Sequence, residues 1–428
     1  MIENKIYNLM HKLWPLNRSI TGKGTLDSLK ILRSICNDLK IKSVPSGKRV
    51  FDWVVPDEWN VTNAYIITPD NKKILDYKKN NLHLVSYSIN INKKIDLKNL
   101  KKKLHTQKNR PNAIPYVTSY YKKNWGFCIK YKDYKKLKKG FYKIFINSSQ
   151  KKGKLFYGEL ILKGKSKKEI FFSCYICHPS MANNELSGPC LMVFLANWIK
   201  KNYNNFFTIR IIFIPETIGS LVYLSKNYKK LKNNVKAGFN ITCMGDNKNY
   251  SYISSRQGNA NSDNIAEYVF KKLGKKFIKY NWNDRGSDER NYCAPGIDLP
   301  VSTIMRSKFG SYPEYHTSED KLGTVVTRKS LKNSFILLKN LVLAADNNCY
   351  PKAIHLGEPF MSKRNMYPTI SKTHSNNPVK NTMNIISYCD GQTSAIAISK
   401  KCNISINHTL KILKALKLTN EEFVDLCI

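Results

Sequence analysis

The chain has 428 residues, with 72 lysines and arginines against 30 aspartates and glutamates, a formal net charge of +42. This length allows two or three domains, each with its own core, and no run approaches the roughly 20 apolar residues of a membrane-spanning helix. A charge of this size attracts nucleic acid, anionic lipid or acidic glycans. Nearly all of the excess is lysine, and arginine, which recognises phosphate better, is scarce. Compositional drift therefore explains the positive charge better than a specific function does. The charge is compatible with a nucleic-acid partner but gives no specific support for one.

The N-terminal segment predicts two helices joined by a polar turn. Its start, MIENKIYNLMHKLWPLNRSI, places Ile6, Leu9 and Leu13 on one helical face and differs from a signal peptide. A second helix is predicted over Thr25–Leu39. The 11 cysteines lack the spacing of a disulfide framework. Together with the missing export signal, this predicts reduced thiols and a cytoplasmic protein.

Changes of pattern along the chain predict the domain organisation. Residues 49–151 contain aromatic and β-branched runs between breaks rich in Pro, Asn and Lys, which predicts an inserted β-rich domain. Residues 1–48 and 152–348 are expected to form the main domain. In its second part, apolar runs such as EIFFSCYIC, FTIRIIFIP and LPVSTIMR alternate with amphipathic segments. This rhythm predicts an α/β fold with a mixed, mainly parallel sheet that is covered by helices on both faces.

The C-terminal part is predicted to be a separate helical module. A Pro-containing linker is expected at residues 350–375, and residues 376–428 form the module. One helix is predicted over Ser394–Lys401, and a second one ends at Leu416 after a short turn. This spacing is typical of a helix-turn-helix or winged-helix module. Its second helix, INHTLKILKALK, has few lysines for a helix that reads a DNA groove, so protein contacts are an alternative.

Polar residues follow the predicted strands, at the strand ends where ligands gather in α/β sheets. His178 ends the run EIFFSCYIC, and a neutral imidazole there is a suitable zinc ligand. Glu216 follows FTIRIIFIP, where a carboxylate can act as a general base. Considered alone, His178 is better explained as a histidine that is hydrogen-bonded to the backbone. Glu216 alone has the common alternative of a carboxylate that stabilises a helix N-terminus. Further candidates follow the later strands: Asp246, Asp288, Glu289, Arg290, Tyr315, His316 and Asp320.

The order of several motifs resembles that of the zinc-aminopeptidase-like fold. These motifs are CHP with N-x-LSG (177–188), PETIGS (215–220), TCMGD (242–246), GSDE (286–289) and PEYHTSED (313–320). The clan includes co-catalytic zinc aminopeptidases, some carboxypeptidases and glutaminyl cyclases. More narrowly, nearly the whole chain resembles a bacterial family of aminopeptidase-like proteins associated with polysaccharide biosynthesis. That family similarly has RSITG near its start, an inserted domain with a segment like VPDEWNV (here Val55–Val61), and a winged-helix tail.

The resemblance implies roles for individual residues. His178 and His316 match the histidines that bind the first and the second metal ion, and Glu216 matches the catalytic glutamate. Three anionic metal ligands of the clan fall on neutral residues of this chain: Asn184, Thr217 and Thr242. Since too few carboxylates remain to balance two dications, an intact dinuclear centre is not expected.

A site with one zinc ion is the alternative that these residues leave. Zinc needs three protein ligands and a water, so His178 and His316 require a third ligand. It is expected from one of four neighbours: Asn184 through its amide oxygen, Glu185, Asp246 or Asp288. Contacts with the substrate are expected from four residues: Glu185, Glu289, Arg290 and Tyr315.

Three hypotheses for the function follow. The first is a zinc-dependent, aminopeptidase-like hydrolase of an amide or peptide bond, acting on a small peptide, an aminoacyl compound or a sugar-linked substrate. The second is a relative without catalysis, or with altered catalysis, that binds a carbohydrate or an aminoacylated sugar in the same cleft. The neutral residues at three metal-ligand positions favour this hypothesis. The third is a DNA-binding regulator that acts through the C-terminal module. The sequence leaves open whether the protein forms a homo-oligomer.

Overall fold

The computed structural model describes residues 1–364, 378–417 and 424–427. Its main feature is an eight-stranded sheet, whose strands we number in chain order: β1 (Lys40–Pro45), β2 (Lys154–Leu162), β3 (Ser166–Tyr175), β4 (Phe207–Ile214), β5 (Val235–Ile241), β6 (Ser251–Ile253), β7 (Ile278–Tyr280) and β8 (Val301–Met305). Their spatial order is β1-β2-β4-β3-β5-β8-β6-β7. The four central strands β4, β3, β5 and β8 are parallel, and β2 and β6 flank them in antiparallel orientation. The expected mixed sheet is confirmed.

The central strands are covered on both faces, because they are buried along most of their length. Every residue of β3 from Glu169 to Tyr175 is buried, as is all of β8. Five helices pack against one face: Ile2–Leu13, Lys23–Ile35, Ser187–Asn202, Asn261–Lys272 and Arg328–Asp346. Ile218–Asn234 and the short helix Glu289–Tyr292 pack against the other. The second helix ends at Ile35, before the predicted Leu39, because Cys36 is extended with φ −135°.

The inserted β-rich segment forms its own sheet and packs against this second face. Its four strands are antiparallel neighbours in the order Lys73–Ile74, Glu58–Ile67, Phe141–Lys151 and Ile91–Asp96. Trp59, in the VPDEWNV stretch, is buried, and its indole N–H donates to the carbonyl of Ser88 at 2.9 Å. Trp59 and Tyr87 belong to one apolar cluster with Tyr175 of β3. The insertion therefore shares a core with the large sheet. Its shorter elements are the strands Arg49–Val50, Trp53–Val54, Leu104–His105 and Phe127–Cys128, the helices Leu97–Lys101 and Tyr131–Tyr134, and the 3₁₀ turn Asn81–His83.

The C-terminal module contains three helices and a two-stranded ribbon. The helices are Pro378–Ser387, Ala395–Lys401 and Ile406–Lys417, and the strands Tyr350–Ala353 and Val424–Cys427 pair in antiparallel orientation. The predicted linker from residue 365 onward, and residues 376–377, 418–423 and 428 of the module, lie outside the described residues. The module docks on the main domain, where the Lys400 ammonium lies 2.8 Å from Glu267. In the part of the chain that the structure describes, no helix is both long and apolar enough to cross a membrane.

Candidate active site

The carboxyl ends of the central parallel strands meet at one edge of the sheet, and the loops at this edge contain the predicted residues. His178 follows β3, Glu216 follows β4, and Thr242 follows β5. Four non-glycine residues of these loops have a positive φ: Ser180 (47°), Thr217 (64°), Cys243 (48°) and His316 (52°). Such conformations cost about 1–3 kcal/mol each and concentrate at functional sites. The backbone therefore marks this edge as the candidate active site.

His178 and His316 lie side by side, with ring centroids 5.2 Å apart. The Nε2 atom of His178 is 3.8 Å from Oε2 of Glu216. Burial lowers the pKa of His178 well below its ordinary value and that of His316 to about 4, so both imidazoles are neutral at pH 7. Buried Arg18, in the RSITG stretch, fixes the loop by donating to the His178 carbonyl at 2.5 Å. Two neutral rings thus present nitrogen atoms to one cleft.

Glu216 has the properties of a proton-transfer group. Its side chain is 20% exposed, so a substrate can reach it. Burial, reinforced by the nearby charge of Asp288 and opposed by that of Arg290, raises the pKa of Glu216 above its ordinary value. Its backbone N–H donates to the Cys177 sulfur at 3.2 Å, which holds the carboxyl at the strand end. A carboxyl whose pKa is raised is a stronger base than an ordinary one and is therefore suited to proton transfer.

Asn184 is fully buried and held on all sides by hydrogen bonds. Its backbone N–H donates to Oδ2 of Asp320 at 2.9 Å. Its side-chain amide donates to the Tyr175 hydroxyl and to the Cys243 sulfur. Its Oδ1 atom therefore faces Nε2 of His316, 3.1 Å away, and accepts the proton on that nitrogen. A metal ion at Nε2 of His316 would have to replace this hydrogen bond.

The two threonines at the other neutral positions are also engaged. The Thr242 hydroxyl donates to Oε2 of Glu185 at 2.6 Å. The Thr217 hydroxyl accepts a hydrogen bond from the guanidinium of Arg290. A cation therefore touches the oxygen at a position where the clan has an anionic metal ligand.

The three carboxylates expected as a third ligand differ in which oxygens are free. Both oxygens of Glu185 accept hydrogen bonds, one from a backbone N–H at 3.0 Å and the other from Thr242. Both oxygens of Asp246 accept hydrogen bonds from neighbouring loops. Asp288 binds the backbone N–H of Thr217 through Oδ1 at 2.7 Å, while its buried Oδ2 has no partner among the described residues. Of these three carboxylates, Asp288 is thus the one that keeps an oxygen without a partner among the described residues.

This donor set suits one metal ion and not two. Two neutral imidazoles and an orphaned carboxylate oxygen are the ligand types that a single zinc ion takes. No three His, Cys, Asp or Glu side chains of the described ranges already converge on one point, so binding would require side chains to move. A two-ion centre does not fit, because its additional anionic positions are neutral and Arg290 lies at one of them.

The inserted domain contributes an aromatic wall that the sequence analysis missed. The ring of Tyr116 lies 5.2 Å from those of both His178 and His316. Its backbone N–H donates to the His316 carbonyl at 2.8 Å, next to a β-bridge between Pro115 and Thr317. The aromatic stretch YVTSYY was a signal in the sequence, but its position over the cleft depends on how the two domains pack.

The remaining predicted residues occupy different environments. The Tyr315 ring stacks on His316 at 3.8 Å and so lines the cleft. Both oxygens of Glu289 are bonded, to the Ser287 N–H and the Thr303 hydroxyl at 2.9 Å each, so this side chain braces its loop. Arg290 is exposed at the rim. Tyr315 and Arg290 are therefore free to meet a substrate, whereas Glu185 and Glu289 are engaged within the protein.

Two family descriptions match the chain. A domain of unknown function (DUF4910) matches residues 7–348, and a winged helix-turn-helix matches residues 348–421. A protein of Clostridium acetobutylicum, named for polysaccharide biosynthesis and an aminopeptidase-like domain, is 40% identical over 367 residues, which are 86% of this chain and 83% of that protein.

Solved structures support the same architecture. A crystal structure described as a peptidase from Clostridium acetobutylicum has a TM-score of 0.83 and 35% identity, and the match covers 99% of this chain and 96% of that one. A zinc aminopeptidase from Bacillus subtilis has a TM-score of 0.58 and 14% identity, covering 81% of this chain and 96% of its own. At 14% identity the likeness shows the fold alone. The predicted aminopeptidase-like fold and winged-helix tail are confirmed.

Proposed function

We propose, from the premise that the chain belongs to the DUF4910 family and has an aminopeptidase-like fold, that it hydrolyses an amide or peptide bond with one zinc ion. The observation that carries the proposal is the pair of Glu216 and His178, 3.8 Å apart at the strand ends of the sheet. The link of the relative's name to polysaccharide biosynthesis supports a small peptide, an aminoacyl compound or an aminoacylated sugar as the substrate.

His178, His316 and Asp288 are the residues that would hold the ion. When bound, zinc supplies Lewis-acid polarisation of the carbonyl and of the attacking water. Glu216 accepts the proton of that water and returns it to the leaving amine, and its raised pKa favours the return of the proton. The rings of Tyr116 and Tyr315 lie on the histidines and orient the substrate between them.

Metal analysis combined with a substrate screen tests the proposal. Protein prepared without added metal should contain about one zinc per chain and hydrolyse an aminoacyl arylamide. His178→Ala should lose both properties. The control is His83→Ala, because His83 lies in the inserted domain and bonds the Cys128 carbonyl at 2.9 Å. Metal-free protein with full activity, or zinc retained by His178→Ala, would contradict the proposal.

A second candidate is a binding protein without catalysis. It is favoured by the neutral residues Asn184, Thr217 and Thr242, whose side chains complete their hydrogen bonds without a metal. The same cleft would then bind a carbohydrate or an aminoacylated sugar. Saturable binding of such a compound by metal-free wild-type protein, with no turnover, would select this candidate over the hydrolase.

Nucleic-acid binding is a property to be tested separately. The winged-helix match at residues 348–421 supports it. The helix Ile406–Lys417 exposes Asn407, His408, Lys411 and Lys414. A gel shift of duplex DNA that weakens with salt would support the regulator hypothesis. Absence of a shift at low salt would reject it.

A further inference from the structure

Thr217 is held by several hydrogen bonds in an uncommon backbone conformation. It has φ 64° and ψ −75°, a conformation that a β-branched residue rarely adopts. Its backbone N–H donates to Asp288 at 2.7 Å, and its carbonyl accepts from the Ser220 hydroxyl at 2.8 Å. The side chain of Asn291 approaches the same carbonyl at 3.5 Å. These bonds keep Thr217 in a strained conformation that directs its hydroxyl towards Arg290.

Arg290 is placed at the site by this single interaction. One guanidinium N–H donates to the Thr217 hydroxyl, and among the described residues the Arg290 side chain has no other hydrogen bond or ion pair. The side chain is exposed, so its other N–H groups are accessible to a ligand. Its charge acts on the two carboxyls beside it, where it opposes the rise in pKa that burial causes at Glu216 and Asp288. Arg290 is thus a fixed cation with free donors beside the proton-transfer group.

We propose that Arg290, held by Thr217, binds an anionic group of the ligand, a carboxylate or a phosphate, next to the bond that lies over Glu216. The Thr217 oxygen holds the guanidinium at this position. The planar donors of arginine match the oxygens of a carboxylate or phosphate. The location of the reacting bond rests on the proposed function, whereas anion binding does not.

A matched pair of small ligands tests the inference on the full-length protein. N-acetylglycine has a carboxylate, and N-acetylglycine amide is its neutral counterpart. Ligand-observed NMR should find that wild type binds the acid about tenfold more tightly than the amide. Arg290→Gln should abolish this preference, and Arg290→Lys should keep part of it. Arg285→Gln is the control, because Arg285 is exposed on the same loop and bonds the Trp282 carbonyl instead.

Two further measurements identify the anion and the role of the threonine. Inorganic phosphate that displaces N-acetylglycine would extend the ligand class to phosphates, and failure to displace it would restrict the class to carboxylates. Thr217→Glu should remove the preference for the acid, because the new carboxylate neutralises Arg290. Circular dichroism of every variant checks the fold.

The inference is overturned if wild type binds acid and amide equally, or if Arg290→Gln retains the preference. Its failure is distinguishable from that of the proposed function. Anion binding that depends on Arg290, without hydrolysis of any arylamide, leaves this inference standing and rejects the hydrolase. Hydrolysis that depends neither on the charge of the ligand nor on Arg290 would support the hydrolase and reject this inference.

Discussion

Restoring a carboxylate at position 184 should couple the stability of the protein to zinc. Asn184 is fully buried and donates hydrogen bonds to Tyr175 and Cys243 that an aspartate cannot make. Each buried group left unpaired costs about 1–3 kcal/mol, and the new charge lies on a segment that Asp320 already holds. We expect metal-free Asn184→Asp to be less stable than wild type by about 2–5 kcal/mol.

Zinc should reverse most of this loss. An aspartate at position 184 adds an anionic ligand beside His316, whose Nε2 atom lies 3.1 Å from the present amide oxygen. At a free zinc concentration of about 100 times the dissociation constant, binding stabilises the folded state by about 2.7 kcal/mol. Urea unfolding of chelator-treated protein, followed by tryptophan fluorescence with and without zinc, measures both effects. Competition with a chromophoric chelator gives the zinc affinity, which should exceed that of wild type.

The neighbouring asparagine provides the control. Asn183 is equally buried, and its amide donates to Asp246 at 3.1 Å, so Asn183→Asp should also destabilise the metal-free protein. Its side chain faces Asp246 rather than the histidines, and zinc should not restore its stability. Equal responses of the two variants to zinc would refute the assignment of position 184 to the metal site.

Three further outcomes are expected. Glu216→Gln should lower kcat by about 100-fold or more with an unchanged zinc content; unchanged turnover would remove Glu216 from catalysis. Tyr116→Ala should reduce kcat/KM about tenfold by loosening both histidines, whereas Tyr116→Phe keeps the ring and most of the activity; equal effects would point to the hydroxyl instead. Burial alone would raise the pKa of Glu267. Hydrogen bonds outweigh this effect, above all the bond from Lys400, and lower the pKa from an ordinary 4.5 to about 2. This depressed pKa contributes stability above about pH 4.5 that is lost as the pH falls towards 2. In urea unfolding, Glu267→Gln should show a smaller loss over that range than wild type, and an identical pH profile would contradict the role of the pair.

The architecture of the main domain was predictable because it depends on local patterns. Mostly apolar runs such as those of β3 and β4 are stable only when both faces are covered, so their alternation with amphipathic helices indicates a layered α/β fold. The helix predicted over Ser394–Lys401 begins at Ala395, one residue later, because the Ser394 hydroxyl caps it. Predicted boundaries differ from the observed ones where a single backbone conformation decides, as at Cys36.

The candidate site was predictable only in part. His178, Glu216 and His316 could be chosen from the sequence because strand ends of a parallel sheet converge, and their proximity is what the structure shows. Which carboxylate keeps a free oxygen was not predictable. Glu185, Asp246 and Asp288 are alike as residue types, and the difference comes from hydrogen-bond donors on distant segments.

By itself, the sequence determined the layered α/β fold, the winged-helix tail and the neutral residues at three ligand positions, because apolar periodicity and residue identity are local properties. The tertiary structure alone decided that Tyr116 of the insertion covers both histidines and that Arg290 bonds Thr217. It also decided that one oxygen of Asp288 has no partner among the described residues. These contacts join segments up to 200 residues apart, and their geometry arises only when the sheet edge, the inserted domain and the loops pack together.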